Sequence, residues 1–366
     1  MIYDHAVIGA GINGCALSYF LTEAGKKTAL IDKEGIAAGG SGAAGAFVSP
    51  KFSKGGPLKA LMDSAFRFSL DFYNNSFAEF INNVPLLHIA RFKDENDRVA
   101  HFKEHTDFEI SDVPEEVSGM LTDYARSFES VYLLHDGIVD ARGVCGALAQ
   151  KADLFIEEIE GIVYRDGLWH IGDIISKEVT VATGAYSGVL VEPYIQLRPV
   201  WGQRIDIRTS TRLDFTIHHQ LSISPSSEDG VMALGATHDL NYNPQLCSEP
   251  YDLEPGRKEL IEKALDTIEL KDIEVIGDYT GLRSGSNDYL PLLGRVVKAE
   301  ISSVEEPEYY PALYMINGVG GYGFVQGPYL ARQLSRHILY GEELDEKLAP
   351  ERFFRRWIKR GRGMAK

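Results

Sequence analysis

Hydrophobic residues near the N-terminus follow the pattern of a strand, a helix and a second strand. Residues 2–8 are rich in apolar side chains, an apolar-periodic run covers residues 15–24, and residues 28–31 are strand-like and lead to Asp32. Short apolar runs are typical of buried strands, and apolar residues spaced three and four apart are typical of one helix face. The pattern therefore predicts a strand, helix and strand unit within the first 32 residues.

Similar patterns predict further elements along the chain. Amphipathic periodicity predicts a helix over residues 58–80, where core packing is the default role of the aromatic side chains. Residues 84–135 are poor in glycine and rich in charge, which places a domain boundary near residue 84. At residues 135–140 the chain turns into a predicted helix over residues 143–151. The remaining predicted helices cover residues 254–269 and 325–340, and the remaining predicted strands cover residues 178–182, 204–208, 231–237 and 313–316.

Three glycines lie at the predicted turn between the first strand and the helix. Gly9, Gly11 and Gly14 have the G-x-G-x-x-G spacing, and Asp32 follows 21 positions after the second of them. The first glycine permits the turn, the second lets a pyrophosphate approach the backbone, and the third allows close helix packing, while the carboxylate binds a ribose hydroxyl. The pattern indicates a dinucleotide site for NAD or FAD. A strand-to-helix turn without a ligand is the alternative.

Glycine also clusters at later positions. The segment GGSGAAG, residues 39–45, follows the second strand where a nicotinamide enzyme would have a helix. We predict a loop laid against a large flat ring system there, with an ordinary surface loop as the alternative. Thr183 and Gly184 end a predicted strand, where they contact a dinucleotide or form a structural turn. The segment NGVGGYG, residues 317–323, again places glycine amides before a helix, either to stabilise charge on a reduced flavin or as a helix cap.

Composition and charge limit the class of protein. The chain has 366 residues, of which 44% are hydrophobic and 25% charged, so we expect a globular protein of two or three domains. A net charge of −16 argues against indiscriminate nucleic-acid binding. Residues 351–366, however, hold seven basic side chains and one acidic one, which makes a basic tail.

Other features argue against a metal site, secretion and the membrane. Three well-separated cysteines give neither a disulfide framework nor paired metal ligands. His218 and His219 are adjacent on a predicted strand, so they point to opposite faces and do not bind one ion. The first residues lack the positive charge of a signal peptide, and the sequence contains no apolar run of about 18 residues. We therefore expect no metal, no membrane span and a cytoplasmic location.

The motifs occur in an order that resembles the D-amino-acid oxidase-like FAD-dependent oxidoreductases, and this resemblance spans essentially the whole chain. They are the glycine fingerprint, VATG (181–184), RPVWGQ (198–203), GLRSGSNDYLPLLG (281–294) and NGVGGYG. Within this family the chain is most similar to the C-terminal oxidase half of bifunctional bacterial enzymes that modify the tRNA wobble uridine. Residues 41–54, LGATH (234–238), residues 281–294 and the tail from residue 344 carry that similarity. The loop GVGGYG also resembles glycine and sarcosine oxidases.

The resemblance implies a mixed α/β fold. We expect a discontinuous Rossmann-like FAD-binding domain of the glutathione-reductase and D-amino-acid oxidase type, over residues 1–83, 136–197 and 277–366. The substrate domain, over residues 84–135 and 198–276, would be a mixed, largely antiparallel sheet. FAD would bind without a covalent link. The predicted cofactor-binding residues are Gly9, Gly11, Asn13, Gly14, Asp32, Lys33, Gly40, Ser41, Ala44, Gly45, Ala46, Thr183, Gly184, Trp201, Gly202, Arg283, Gly318, Gly320, Gly321, Tyr322, Gly323 and Phe324.

Family members oxidise a C–N bond alpha to a carboxylate by hydride transfer to flavin N5, and water then hydrolyses the imine. The resemblance implies that Arg283 of the G-L-R motif holds that carboxylate, although a buried ion-pair arginine is the alternative. Tyr289, Tyr322 and Lys51 are further candidates for the catalytic pocket. The methyltransferase half of the wobble-uridine enzymes is absent from the sequence, so we expect the oxidative step alone, with release of glyoxylate from 5-carboxymethylaminomethyluridine.

The basic tail bears on the choice of substrate. Its aromatic and basic side chains alternate at helical spacing, so one face would pack on the protein while the other binds tRNA phosphates. A solvated terminal helix is the alternative. Two other functions stay open: oxidation of a free small amine such as glycine, sarcosine or a D-amino acid, and a flavin-binding subunit of a hetero-oligomer. The cationic candidates for tRNA docking are Arg352, Arg355, Arg356, Lys359, Arg360 and Arg362.

Overall fold

The computed structural model describes residues 1–186, 188–303 and 305–361. The strands are β1 (Ile2–Ile8), β2 (Thr28–Asp32), β3 (Phe47–Val48), β4 (Ile81–Ile89), β5 (Ile110–Ser111), β6 (Ser130–Val139), β7 (Asp153–Ile156), β8 (Val163–Arg165), β9 (Leu168–Ile171), β10 (Ile174–Val181), β11 (Leu197–Arg208), β12 (Thr216–His218), β13 (Ser222–Ile223), β14 (Val231–Gly235), β15 (Glu274–Ser286), β16 (Leu292–Val297) and β17 (Tyr309–Asn317). The helices are α1 (Ile12–Glu23), α2 (Gly40–Ala43), α3 (Pro57–Ser76), α4 (Asn96–His105), α5 (Glu115–Met120), α6 (Asp123–Arg126), α7 (Ala141–Ala149), α8 (Glu254–Thr267), α9 (Gly323–Tyr340) and α10 (Glu351–Lys359).

The N-terminal strand, helix and strand unit forms as β1, α1 and β2. Two segments differ from their prediction. The glycine and serine segment contains a short helix, α2, because the chain turns back tightly enough for Gly42 N–H to donate to Gly39 O at 3.1 Å. Residues 135–139, predicted as a turn into a helix, belong to β6 because they pair with β4 in an antiparallel ladder.

The chain divides into two compact units. Unit 1 comprises residues 1–42, 142–199 and 282–366, and unit 2 comprises residues 43–141 and 200–281. The expected boundary at residue 83 therefore differs from the division after Gly42. The physical reason is strand pairing, since β3 joins the unit 2 sheet next to β6 through Phe47 opposite Ile138.

Unit 1 is built around a mostly parallel sheet in the order β16, β17, β10, β1, β2, β7, with the hairpin β8 and β9 attached to β10. Strands β17, β10, β1, β2 and β7 run parallel, and β16 pairs antiparallel with β17. Buried side chains such as Ile8, Ile31 and Leu313 form its apolar core. Helices α1 and α9 contact each other through a glycine, since a Cβ on Gly323 would lie 3.1 Å from Ile12 Cγ2.

Unit 2 contains a mixed, largely antiparallel sheet. Its order is β15, β11, β14, β13, β12, β4, β6, β3, with β5 beside β6, and β12 and β4 are a parallel pair. Its core includes Leu87, Phe215 and Leu260. The predicted combination of a parallel, Rossmann-like sheet with a second, mainly antiparallel sheet is confirmed.

Among the described residues, no helix combines the length and apolar character that crossing a bilayer requires.

Candidate functional site

The predicted dinucleotide residues of unit 1 lie along one edge of its parallel sheet. In the strand register Ile8 stands opposite both Ile31 and Val181, and Val181 stands opposite Met315. The residues that follow these strands therefore meet at the carboxyl edge, which is where ligands bind in open α/β sheets. They are Gly9 after β1, Asp32 at the end of β2, Thr183 after β10 and Asn317 at the end of β17.

The turn between β1 and α1 requires glycine at two of the predicted positions. Gly9 has φ of 107°, which disfavours residues with a side chain, and a Cβ there would lie 2.4 Å from Ala182 O. A Cβ on Gly14 would lie 1.9 Å from Gly9 O. The glycines at these two positions thus let the turn, the helix and the neighbouring strand end come into close contact.

The Asp32 carboxylate organises the backbone at this edge. Its Oδ2 accepts Ala10 N–H at 2.8 Å, and its Oδ1 accepts the N–H groups of Glu34 and Gly35 at 2.9 and 3.0 Å. These bonds hold the carboxylate next to the glycine turn. Its binding to a ribose stays a prediction. The next residue, Lys33, extends over the ring of Tyr186 at 4.4 Å.

Ser41 joins the glycine and serine segment to the start of α1. Its Oγ accepts Ile12 N–H at 3.0 Å, and a Cβ on Gly11 would lie 3.1 Å from the same Oγ. A Cβ on the adjacent Gly40 would lie 2.8 Å from Leu282 O. The segment is therefore fitted closely against α1 on one side and the beginning of the G-L-R motif on the other.

The late glycine loop is held by Asn317, a residue that sequence reasoning did not select as a site residue. Asn317 is buried; its Oδ1 accepts Gly318 N–H at 2.8 Å and Ser284 Oγ–H at 3.0 Å, and its Nδ2 donates to Gly184 O at 2.9 Å. Gly320 N–H also donates to Ser284 O at 2.7 Å. The only signal in the sequence was the position of Asn317 at the end of an apolar strand.

Arg283 lies on β15 beside this loop. A Cβ on Gly321 would lie 3.9 Å from Arg283 Cδ, and burial lowers the pKa of the guanidinium. Tyr322 precedes α9 and is 38% exposed, whereas Phe324 in the first turn of α9 is buried and serves packing. Tyr289 lies in the turn after β15 with φ of 64° and is 66% exposed. Unit 1 thus brings Arg283, Gly321 and Tyr322 together and leaves Tyr289 largely in solvent.

The arrangement in unit 1 fits a dinucleotide. Thr183 Oγ1 is buried at the carboxyl edge and has no hydrogen-bond partner among the residues that the structure describes. Gly184 and Gly320 have φ of 60°, and no heavy atom lies within 4 Å of a Cβ built on either of them. A polar side chain in need of a partner and two glycines facing open space are the groups that a polar ligand at this edge would contact.

The other predicted residues lie in unit 2. Ala44 O accepts Arg204 Nη1–H at 2.8 Å, and Ala46 has φ of 52° with its carbonyl accepting Val139 N–H at 3.1 Å. A Cβ on Gly45 would clash with Phe47, and Lys51 follows β3 in a half-buried loop.

Trp201 and Gly202 on β11 are buried in the same unit. The Trp201 ring packs edge-on against Tyr242 and Tyr251, with centroid distances of 5.1 and 5.7 Å. These contacts give Trp201 a packing role in unit 2. Of the doublet His218 and His219 at the end of β12, His219 is buried and its Nδ1 lies 3.0 Å from Thr267 Oγ1, whereas His218 is half-buried.

The tail forms α10, which packs on unit 1 through Phe353 and Phe354. The Phe354 ring is fully buried and lies edge-on to Tyr194 at 5.6 Å. Arg352 is 10% exposed, and its Nε and Nη2 each lie 3.0 Å from a carboxylate oxygen of Asp288. The prediction of Arg352 as a phosphate ligand is therefore corrected: its guanidinium is used to hold α10 in place.

The other tail cations differ in their environment. Arg356 Nη1 donates to Asp288 Oδ2 at 2.6 Å, and Arg355 pairs with Glu351 at 2.5 Å, but both side chains are about half exposed. Lys359 and Arg360 are exposed at the end of α10. Arg362, the remaining predicted docking residue, lies outside the described residues.

Comparison with known proteins supplies a family. The family described as FAD dependent oxidoreductase (DAO) matches residues 4–337. Among curated proteins, the tRNA 5-methylaminomethyl-2-thiouridine biosynthesis bifunctional protein MnmC of Legionella pneumophila (strain Lens) is 24% identical, over 97% of this chain and 58% of that protein. The chain thus spans less than two thirds of the length of this curated relative.

Solved structures share the fold over nearly their whole length. Glycine oxidase from Geobacillus kaustophilus has a TM-score of 0.79 and 20% identity, over 95% of this chain and 97% of that one. A reduced L-alpha-glycerophosphate oxidase from Mycoplasma pneumoniae with FAD bound has a TM-score of 0.75 and 13% identity, over 96% and 98% of the two chains.

Proposed function

Because the chain belongs to the DAO family of FAD-dependent oxidoreductases, we propose that it oxidises the C–N bond of an N-carboxymethyl amine with non-covalently bound FAD. The substrate we infer is 5-carboxymethylaminomethyluridine at the wobble position of tRNA. The observation that carries the proposal is the position of Arg283, a partly desolvated guanidinium beside the glycine loop 318–323.

Arg283 supplies what a carboxymethyl group needs. Arginine stays charged despite burial and presents a planar fork that matches a carboxylate with two parallel hydrogen bonds. Such bonds are stronger where water is excluded. Gly321, which has no side chain, lies next to the aliphatic part of the Arg283 side chain, so the loop backbone leaves room for a ligand there. The guanidinium would fix the carboxylate and thereby orient the adjacent C–N bond.

The cofactor would be held by the unit 1 residues at the carboxyl edge. Gly9, Gly11 and Gly14 shape the turn for the pyrophosphate, Asp32 binds the ribose, and Thr183 and Gly184 contact the dinucleotide. FAD, when bound, accepts the two electrons that leave the substrate. The substrate R–NH–CH2–COO⁻ loses two electrons and two protons to give R–N=CH–COO⁻, and water converts this imine into R–NH2 and glyoxylate.

Two observations support tRNA as the carrier of the amine. The curated relatives that match 97% of the chain are tRNA-modifying proteins by name. Helix α10 also exposes Arg355, Arg356, Lys359 and Arg360 on one short segment, which is a local cationic surface on an otherwise acidic protein. We call these four residues the α10 cations. Similarity to glycine oxidase supports the alternative, a free small amine.

An anaerobic visible spectrum of the purified flavoprotein separates these possibilities. We expect loss of flavin absorbance after addition of tRNA bearing 5-carboxymethylaminomethyluridine, and little change with glycine, sarcosine or D-alanine. Bleaching by a free amino acid and not by the tRNA would assign the protein to the small-amine oxidases. Failure of every substrate would favour a flavin-binding subunit that needs a partner. Denaturation followed by filtration should release the flavin, since we propose a non-covalent complex.

A charge-matched pair of variants tests the α10 cations. We expect Lys359→Glu combined with Arg360→Glu to weaken tRNA binding by on the order of 10-fold. The salt dependence of binding should also become less steep, because fewer phosphate contacts release fewer counterions. Lys258→Glu combined with Lys263→Glu on α8 changes the net charge by the same amount and is the control. Equal binding by both double variants would reject α10 as the docking surface.

A further inference from the structure

The two faces of strand β11 in unit 2 carry different side chains. Ile205 and Ile207 belong to the apolar core of the unit. Side chains alternate between the two faces of a sheet along a strand, so Arg204 and Asp206 lie on the face opposite to that core. Their side chains are only 15% and 19% exposed. We call this side of the unit 2 sheet the polar face.

Arg204 and Asp206 each have one polar atom without a hydrogen-bond partner. Arg204 Nη1 donates to Ala44 O at 2.8 Å, but its buried Nε has no hydrogen-bond partner among the residues that the structure describes. The same holds for the buried Oδ1 of Asp206 within the described part of the chain. The two atoms are 3.5 Å apart. Because buried polar groups are almost always hydrogen-bonded, a donor and an acceptor side by side indicate a place where a ligand supplies the partners.

Contacts within unit 2 fix the arginine side chain. The guanidinium carbon of Arg204 lies 4.1 Å from the centroid of the Tyr279 ring, and the bond to Ala44 O holds a second side of the group. A side chain that is already ordered loses little conformational freedom when a ligand binds. Arg204 is therefore prepared to donate from Nε.

The strands next to β11 carry small side chains on the polar face. In the antiparallel register Gly235 of β14 stands opposite Arg204. Ala233 of the same strand stands opposite Asp206. Ser222 of β13 follows next, opposite Gly235. Directly opposite residues share one face of a sheet, so a strip of small side chains runs beside the Arg204 and Asp206 pair.

Polar atoms without partners also lie on the other side of this strip. His218 of β12 stands opposite Ser222, and Thr216 lies two residues earlier on the same face. Thr216 is 0% exposed, and neither its Oγ1 nor the Nδ1 of His218 has a hydrogen-bond partner in the described ranges. A surface of small residues between precisely placed polar groups is typical of a binding site for a small molecule.

The charges of the pair decide the class of ligand. Since the guanidinium of Arg204 is next to the carboxyl group of Asp206, an anion would be repelled by one of them and a cation by the other. A neutral group with an acceptor next to a donor is matched by both. The edges of nucleobases have this pattern, and proteins that recognise unpaired RNA bases hydrogen-bond to those edges. Uracil presents it as the C4 carbonyl beside the N3–H group.

We propose that Arg204 and Asp206 bind the edge of a uracil ring on the polar face of unit 2. Arg204 Nε–H donates to uracil O4, and uracil N3–H donates to Asp206 Oδ1. The inference rests on the proposed function, because a wobble uridine is the base of the substrate inferred above. It assigns recognition of the base to unit 2 alone. The flavin ring carries the same carbonyl and N–H edge, so flavin is the competing ligand that a test has to separate from uridine.

Titration of the FAD-loaded protein with uridine and with 3-methyluridine tests the site. A methyl group replaces the N3 proton in the second nucleoside, so it cannot donate to Asp206. We expect the wild type to bind uridine more tightly than 3-methyluridine by on the order of 10-fold. This preference should vanish in Asp206→Ala and shrink in Asp206→Asn, which keeps the shape of the side chain. Arg208→Gln should retain the preference and is the matched control, since Arg208 on the same strand pairs with Glu274 at the surface at 3.0 Å.

Nuclear magnetic resonance of isotope-labelled arginine gives a readout independent of affinity and turnover. The Nε–H resonance of Arg204 is assigned by its loss in Arg204→Lys. We expect uridine to shift this resonance in the wild type, because the N–H group gains an acceptor. The Arg208 resonance should stay in place. A spectrum in which uridine leaves the Arg204 resonance unchanged would reject the site.

The outcomes separate this site from the proposed function. If tRNA bleaches the flavin but the wild type binds uridine and 3-methyluridine equally, the uracil site alone is rejected. If uridine binding depends on Asp206 but tRNA does not bleach the flavin, the proposed function alone is rejected. A lower affinity for FAD in Asp206→Asn, with an unchanged preference for uridine, would assign the pair to the flavin and overturn the inference.

Discussion

Asn317 connects the late glycine loop, residues 318–323, to Gly184 in the turn after β10, since its side-chain Nδ2 donates to the backbone carbonyl of Gly184 at 2.9 Å. The same amide accepts Gly318 N–H and the Ser284 hydroxyl, so one buried side chain ties the end of β10, the strand β15 and the late glycine loop together. The loop therefore has a defined position relative to the carboxyl edge before any ligand binds, which lowers the ordering cost of binding.

Replacement of Asn317 should loosen this connection. Asn317→Ala removes three hydrogen bonds, and each of them contributes about 1 kcal/mol to stability. We expect FAD affinity to fall by on the order of 10-fold to 100-fold. Titration of the apoprotein with FAD, followed by flavin fluorescence, measures the change. Asn287→Ala, in the exposed turn after β15, is the control and should bind FAD like the wild type. Unchanged affinity in Asn317→Ala would contradict this role.

A second prediction concerns the contact between α1 and the first glycine turn. A Cβ on Gly14 would lie 1.9 Å from Gly9 O, so Gly14→Ala must displace backbone. We expect it to lower both the Tm and the FAD content of the purified protein. Gly146→Ala on α7 is the matched control, because no heavy atom lies within 4 Å of a Cβ built there. That helical substitution should raise the free energy of unfolding by about 0.5 to 1 kcal/mol.

Local chemistry explains why the N-terminal unit could be predicted from the sequence. Gly14 and Asp32 act through contacts with Gly9 and Ala10, which lie 5 and 22 positions away, and each role follows from backbone geometry or from a short hydrogen bond. Periodicity likewise located α3, α8 and α9. These features depend on residues that are close in the sequence, so a single sequence contains them.

The features that could not be predicted depend on distant residues. Asn317 acquires its role from Gly184 and Ser284, which lie 133 and 33 positions away in the sequence. Ser49 and His218 are 169 positions apart and meet only because β3 and β12 belong to one sheet. Arg352 was predicted to bind phosphate because its partner, Asp288, is 64 positions away. Long-range register decides each of these contacts, and neither composition nor periodicity encodes it directly.

Arg283 is expected to bind the carboxylate of the substrate. Arg283→Lys keeps the charge but loses the planar fork, and Arg283→Gln loses both. We expect the Kd of a carboxylate substrate to rise by on the order of 10-fold in Arg283→Lys and 100-fold in Arg283→Gln. Perturbation of the flavin spectrum during anaerobic titration measures this Kd, and flavin content checks that FAD is retained. Arg295→Lys on the exposed side of β16 is the control. A wild-type Kd in Arg283→Gln would assign the arginine a structural role.

The last prediction concerns the anchoring of α10. Burial raises the pKa of Asp288, but hydrogen bonds and charge from Arg352, together with Arg356 and Ser286, outweigh it and lower the value from 3.8 to about 2. A carboxyl group with a depressed pKa contributes stability that is complete above its unfolded pKa and is lost as the pH falls through its folded pKa. The ion cluster should therefore stabilise the protein fully above about pH 4 and progressively less toward pH 2.

Asp288→Asn measures this contribution. At pH 6 the variant should lose about 2 kcal/mol of unfolding free energy, and at pH 3 the difference from wild type should shrink to about 1 kcal/mol. Urea unfolding monitored by Trp357 fluorescence, in the helix that the cluster anchors, reports it. Asp173→Asn changes an exposed carboxylate of unit 1 and should cost less than about 0.5 kcal/mol at either pH. A loss in Asp288→Asn that is equal at both pH values would show that packing of α10, rather than the charge on Asp288, holds the helix.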